Sequence, residues 1–295
     1  MSQALDWHDQ AELLGVRVRT FFFDPATVNA QADFVARHLP NLPSPGQGPG
    51  PSARLLVPEG QRASYRVPGL LAQPDAVLAD AIAGAAADGT IRLITLRGEG
   101  EDFTAGNDLG DFLATPPTGR DEDDIPVWRL LRALAVNEVP ILAAVKGNAV
   151  GIGTTMLFHC DLVIAEDGAR FRMPFVDLGL VPEAASSLLM PRLAGRRAAA
   201  RYLLLGEAFG ASEAHDMGLI SHVAEKATLE EGFAKLRQSV LDKPEQALRL
   251  TQKLLRLQNR DEVLARMTLE NGHFSERLTS DEVKNAIAGF FARRG

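Results

Sequence analysis

Lys146-Gly147-Asn148-Ala149-Val150-Gly151-Ile152-Gly153 stands directly behind the apolar run 141–145 and opens into the apolar stretch 154–159. The run 141–145, entered through Pro140, predicts a short buried strand, because five consecutive apolar residues leave no polar face. The glycines behind it predict a tight turn, since glycine permits close backbone approach and unusual dihedrals. A helix over 154–159 follows, and the first N–H groups of a helix point outward without intrahelical partners. A second strand and turn lie upstream. Residues 91–97, rich in β-branched side chains and bounded by Asp88-Gly89 and Gly98, predict a strand, with Phe103-Thr104-Ala105-Gly106-Asn107-Asp108-Leu109 behind it. Two such turns side by side can converge on one oxygen, which is the physical recipe for an oxyanion hole.

Outward from this pair, helices alternate with short buried strands across residues 75–225. Helices are predicted over 75–87 and 126–136, the latter with Pro126 suited to the first helical position. Further strands are predicted over 161–165 and 219–223, and strands spaced by helices imply a largely parallel sheet. From 226 to 295 the pattern is helical. Ala247, Leu250, Leu254 and Leu257 form an amphipathic stripe that faces a core or an interface. Ser280 can cap a last helix over 281–293, and the Phe290-Phe291 pair near its end needs a partner surface. Residues 1–74 read as an atypical, partly irregular segment. It holds one strand-like stretch, 16–23, and a Pro/Gly cluster over 40–51 that suits neither helix nor central strand.

Composition narrows the function. The chain has 295 residues, 46% hydrophobic and 23% charged, enough for a sizeable core. A net charge of −7 without a basic block argues against nucleic acid as a partner. No apolar run reaches membrane-spanning length, so no membrane span is expected. The first dozen residues carry Asp6, Asp9 and Glu12, unlike a transit peptide, and a cytoplasmic location is expected. Cys160 is the single cysteine, which excludes an intrachain disulfide and fits a reducing compartment.

Each motif also has a bland reading. Gly151-Ile152-Gly153 alone is a weak signal that a functionless strand-to-helix turn explains as well. It is no dinucleotide fingerprint, because Met156 occupies the sixth position. Asp108 reads more readily as a structural cap than as a catalyst. His159, Cys160 and Asp161 are adjacent and diverge, so no metal site is expected there. Ser186 and Ser187 lack a nucleophile-elbow context.

Taken together, the segments resemble the crotonase (enoyl-CoA hydratase/isomerase) family. Residues 91–109 look like its strand and F-[ST]-A-G-x-D turn. Residues 139–154 are similar to its P-x-x-A-A-V-x-G-x-A-x-G-x-G segment. Residues 160–165, Phe171-Arg172-Met173-Pro174-Phe175, Leu178-Gly179-Leu180, Leu204-Leu205-Gly206 and 214–218 follow in the family's order. The resemblance covers about residues 76–295. It implies an α/β fold, a crotonase-type ββα spiral core with an α-helical C-terminal region that builds trimers or dimers of trimers. It also implies an acyl-CoA thioester as ligand, a place in fatty acid metabolism, and no cofactor beyond the coenzyme A of the substrate.

The resemblance places the two oxyanion donors on the backbone N–H groups of Asn107 and Ile152. Ala105, Gly106, Asp108, Leu109, Gly151 and Gly153 then fall in the substrate-binding turns, with the pantetheine arm running along 107–109. Two departures matter. Hydratases of the family use two glutamates, and the matching positions here hold Thr155 and Phe175, residues that line a pocket but exchange no protons with water. Residues 1–74 also lack the family's opening strand and R-P-x-x-x-N-A-L pattern. A different carboxylate stands close by. Residues 181–187 resemble the segment in which the peroxisomal-type 3-enoyl to 2-enoyl-CoA isomerases carry their glutamate. Pro182 is expected to open a helix there, with Glu183 in its first turn, as the catalytic base or as a group that merely complements the helix dipole. Double-bond isomerisation is the first expectation. Hydration or another lyase or hydrolase reaction through Glu183 and a bound water is the second, and an acyl-CoA-binding protein without turnover is the third.

Overall fold

The structure, a computed structural model, describes residues 17–24, 65–68, 74–98, 101–107 and 124–292. Its larger sheet has six strands, all parallel, in the order β2-β1-β3-β4-β6-β9. These are β1 (Arg17–Asp24), β2 (Tyr65–Pro68), β3 (Ile91–Gly98), β4 (Ile141–Val145), β6 (Leu162–Glu166) and β9 (His222–Ala224). All five residues of β4 are buried, because β3 and β6 flank it and helices cover both faces. The strand expected over 219–223 is β9, set a few residues later, because Leu219 and Ile220 end the preceding turn.

The stretch 16–23 is β1, and it lies inside the sheet between β2 and β3. The segment before residue 75 therefore contributes two strands where one was expected. β2 ends in Pro68 and forms the sheet's edge, where a missing N–H costs no ladder bond.

A second sheet holds β5 (Asn148–Val150), β7 (Arg170–Arg172) and β8 (Phe209–Gly210). β4 in the large sheet is followed at once by β5 in the small one, and β6 by β7. A helix closes each step, which is the ββα spiral expected above. At two or three residues each, the strands of the small sheet are too short to leave a period in the sequence.

Helix α1 (Pro74–Ala87) packs on α2 (Pro126–Val136) through Leu78, Ile82, Leu131 and Leu134, all buried. The remaining helices are α3 (Ile152–Thr155), α4 (Ser186–Leu204), α5 (Ala211–Asp216), α6 (Leu229–Leu241), α7 (Glu245–Leu257), α8 (Arg260–Leu278) and α9 (Asp281–Ala292). α3 passes directly into a 3-10 turn over Met156–His159, so the helix expected over 154–159 begins two residues earlier and tightens. Ser280 caps α9 by accepting from Val283 N. The side chains of Phe290 and Phe291 lie outside the described residues.

The stripe on α7 does not face the core of its own chain. Leu250, Leu254 and Leu257 are exposed, and Gln252 is the buried residue of this helix. α8 does face inward. Its Phe274 meets the Trp128 ring edge-on at 5.3 Å and the Phe175 ring at 6.3 Å, tying the C-terminal helices to α2 and to the loop behind β7.

Candidate active site

The two glycine turns lie against each other. Phe103 N and Thr104 N both donate to Asn148 O, at 3.1 and 3.0 Å, and Val150 N donates to Thr104 O at 3.0 Å. Asp102 adds a clamp, since its Oδ1 accepts from Asn148 N and Nδ2 at 2.7 Å each. Gly106 has φ +91°, and a Cβ there would sit 2.9 Å from Val150 O, so both conformation and space demand glycine. Gly153 is held to glycine by space alone, because a Cβ would lie 2.4 Å from Thr104 Cγ2.

Gly151, at φ +56°, caps α3. Its carbonyl accepts from Thr154 N and Thr155 N, and its own N–H donates to Arg172 O. Ile152 and Gly153 thus supply the first N–H groups of the helix, where no intrahelical acceptor exists. Asn107 is half-buried, next to Gly106, on the facing turn, and Ala105 beside it is exposed. Asp108 and Leu109 lie outside the described residues.

Glu183 is 2% exposed, and Thr155 Oγ1 donates to its Oε1 at 3.2 Å. Thr155 is three residues after Ile152, so the carboxyl reaches the short helix whose amides open the second turn. Phe175, also buried, packs its ring toward Phe274. The Glu183 carboxyl is pushed up to about 8, chiefly by burial and further by the negative charges of Asp75 and Glu270, against the Thr155 hydrogen bond. Asp75, in the first turn of α1, is itself raised to about 6 by burial. Thr155→Val should therefore move the Glu183 titration to higher pH. The acidic limb of any reaction that uses this carboxylate should move with it in a rate–pH profile, while the apolar valine fills the same volume.

The local backbone differs from expectation. α4 starts at Ser186, not at Pro182. Ala184 and Ala185, at φ +59° and +56°, are both left-handed, a conformation that costs an L-residue on the order of 1 kcal/mol. They turn the chain so that Glu183 leaves the helix axis. The group that complements the dipole of α4 is Glu270 of α8. It accepts from Ala185 N at 2.6 Å and Ser187 N at 3.0 Å. Burial raises Glu270 to about 7, against those hydrogen bonds, that of the Ser187 side chain and the charge of Arg266. His159 is a core residue. Burial first, then Arg256, lowers it to about 4, so the ring is neutral and its Nε2–H donates to Ala184 O at 2.9 Å. Sequence reading passed over Asp75, Glu270 and the tie from His159, whose sole sequence signal is a carboxylate or imidazole inside an otherwise apolar helix face.

Paired glycine turns beside a buried carboxyl, set on a ββα spiral, define an acyl-CoA enzyme of the crotonase type, and the chain belongs to the enoyl-CoA hydratase/isomerase family, whose description matches residues 72–295. It is 32% identical over 223 residues to the 1,2-epoxyphenylacetyl-CoA isomerase of Escherichia coli, covering 74% of this chain and 85% of that protein. It is also 32% identical over 218 residues to the human enoyl-CoA delta isomerase 2, covering 72% of this chain and 55% of that protein. The solved structure of an enoyl-CoA hydratase/isomerase from Pseudoalteromonas atlantica superposes with a TM-score of 0.70 at 40% identity, over 77% of this chain and 89% of that one. Relatives near 30% identity are also named for hydration and for dehalogenation of other CoA thioesters. Among the described residues, no helix is long and apolar enough to cross a membrane.

Proposed function

We propose that this chain is an enoyl-CoA isomerase that moves a double bond from position 3 to position 2 of an acyl-CoA thioester. The observation that carries this reading is the buried carboxyl of Glu183, raised to about 8 and bonded to Thr155, with an apolar Phe175 where a second glutamate would stand in a hydratase. The thioester carbonyl lies between the N–H groups of Asn107 and Ile152. Glu183 removes a proton from C2, charge gathers on the carbonyl oxygen, and the two fixed donors stabilise it. The same carboxyl returns the proton at C4. One group serves as base and then acid, because nothing is added to the substrate. A raised pKa suits both halves, since the carboxyl must hold the proton between them. Ala105, Gly106, Gly151 and Gly153 shape the two turns, and Thr155 and Phe175 line the pocket. No cofactor beyond the substrate's own coenzyme A takes part. The exposed leucines of α7 supply the contact for a homotrimer or a dimer of trimers.

Asp75 favours a second reading, because its carboxyl is close enough to raise Glu183 and two carboxyls could share a water for hydration. The two reactions separate by mass. Incubated with a 3-enoyl-CoA, the protein should yield a conjugated 2-enoyl thioester of unchanged mass, and in deuterium oxide the product should take up little deuterium, because the buried carboxyl carries the substrate's own proton from C2 to C4. A 2-enoyl-CoA that instead gains the mass of water would replace isomerisation with hydration.

A further inference from the structure

We propose that Glu270 is a positioning residue for Glu183, a two-point carboxylate clamp that keeps the left-handed Ala184–Ala185 link in place and so aims the Glu183 side chain at Thr155. The inference deepens the reading of Glu183 as the base and rests on it for its activity readout alone.

The link is held from two sides. From α8, the two Glu270 oxygens accept from Ala185 N and Ser187 N at 2.6 and 3.0 Å. From the turn behind α3, His159 Nε2 donates to Ala184 O at 2.9 Å. Within the link, Ser186 N and Oγ both donate to Glu183 O, at 2.9 and 2.6 Å. Residues 183–186 are all buried, so water cannot replace a partner lost from Ala185 N, while Ser187 is half-buried. Two consecutive left-handed alanines persist only where the surroundings over-determine them. Of the two outside ties, Glu270 alone binds both sides of the helix start, through two N–H groups at fixed spacing. Without it, Ala184 and Ala185 relax toward right-handed or extended backbone, and the Cα–Cβ direction of Glu183 turns with them.

Glu270 does not itself hold α8 in place. Phe274, one turn on, anchors that helix on Trp128 and Phe175, and Val263, Met267 and Leu278 are buried along it. The charged groups around the clamp are Arg266, which donates to Ser187 Oγ, and Glu183 itself. Removing the clamp should therefore act on the loop before it acts on the fold.

The test uses Glu270→Gln and Glu270→Asp in the full chain, with Glu183→Gln as reference. The amide has one acceptor oxygen and turns an NH2 toward an N–H donor, so one tie becomes a repulsion. Glu270→Gln should lower kcat about 100-fold, the effect of a displacement near 1 Å, with KM within a few-fold. Glu270→Asp keeps both oxygens and should restore part of kcat. Independently of turnover, the Glu183 carboxyl is titrated by difference infrared spectroscopy against Glu183→Gln. Its pKa should fall from about 8 in Glu270→Gln, since a negative neighbour is gone and the carboxyl swings toward water. A folded Glu270→Gln with wild-type kcat and an unmoved Glu183 titration would overturn the proposal and leave Glu270 as a helix cap. Loss of the Glu270 charge alone also lowers this pKa, so the deciding signal is the C=O stretch of protonated Glu183. A stretch shifted by loss of the Thr155 bond upholds the clamp even in a protein without isomerase activity, which then rejects the role given to Glu183. A lowered pKa with an unmoved stretch overturns the clamp.

Discussion

Glu183→Gln should lower the rate of double-bond migration about 1,000-fold, the usual weight of a positioned acid–base group, with KM changed only a few-fold. Glutamine keeps the shape and can still accept from Thr155 Oγ1, so the fold and the pocket survive the change. Wild-type kcat/KM should rise with pH up to about 8 and level off above it, because the carboxyl must be ionised to take the C2 proton. Stability should run the other way. The folded pKa of Glu183, about 8, lies above the ordinary value of 4.5, so the fold favours the protonated form. Its stabilisation is complete below about pH 4.5 and is lost as pH rises through 8. Glutamine is neutral throughout. In urea denaturation the variant should match the wild type near pH 5 and exceed it at pH 9, by on the order of 3–5 kcal/mol. Asp75 and Glu270 are raised by burial too, so the wild type carries the same trend from three carboxyls, and the substitution isolates the share of one. Unchanged turnover in Glu183→Gln would remove Glu183 from the chemistry.

Gly106→Ala should lower kcat about 100- to 1,000-fold, the loss seen when one donor to a developing oxyanion is removed. The new Cβ would meet Val150 O at 2.9 Å, at a φ of +91° that L-residues rarely adopt. The turn must open, and Asn107 N moves away from α3. The matched control is Gly89→Ala, where a Cβ meets nothing within 4 Å and no reacting group is near. That variant should keep wild-type kinetics. If Gly106→Ala folds and turns over normally, the Asn107 amide is no donor to the substrate. The comparison separates loss of the donor from loss of the protein, provided both variants melt within a few degrees of each other.

Much of the core was legible residue by residue. Pro126 set the start of α2, and apolar runs set β3, β4 and β6 within a residue or two, because each is a local consequence of side-chain type. The glycine turns were legible for the same reason, since φ +91° at Gly106 and +56° at Gly151 leave few alternatives to glycine. The small sheet was not, because strands of two or three residues take their conformation from their neighbours. The start of α4 was misplaced because Pro182 is a good helix opener by itself. Two buried alanines, ordinarily helix formers, were instead forced left-handed by contacts from elsewhere. The stripe on α7 was read correctly as a stripe and left open as to its partner, since periodicity shows that a face is apolar but not what covers it.

The sequence by itself determined the strands and the two turns, all settled within a few residues of chain, and its resemblance to a family singled out Glu183. Tertiary structure decided where each carboxylate sits and what it bonds. Glu183 follows a proline and Glu270 sits mid-helix, so local rules give the first to the helix dipole and the second to solvent. The fold instead buries both, Glu270 on the N–H groups that open α4 and Glu183 against Thr155, because Ser186, His159 and Glu270, two of them distant in the chain, all bond to the backbone of the link that begins at Glu183.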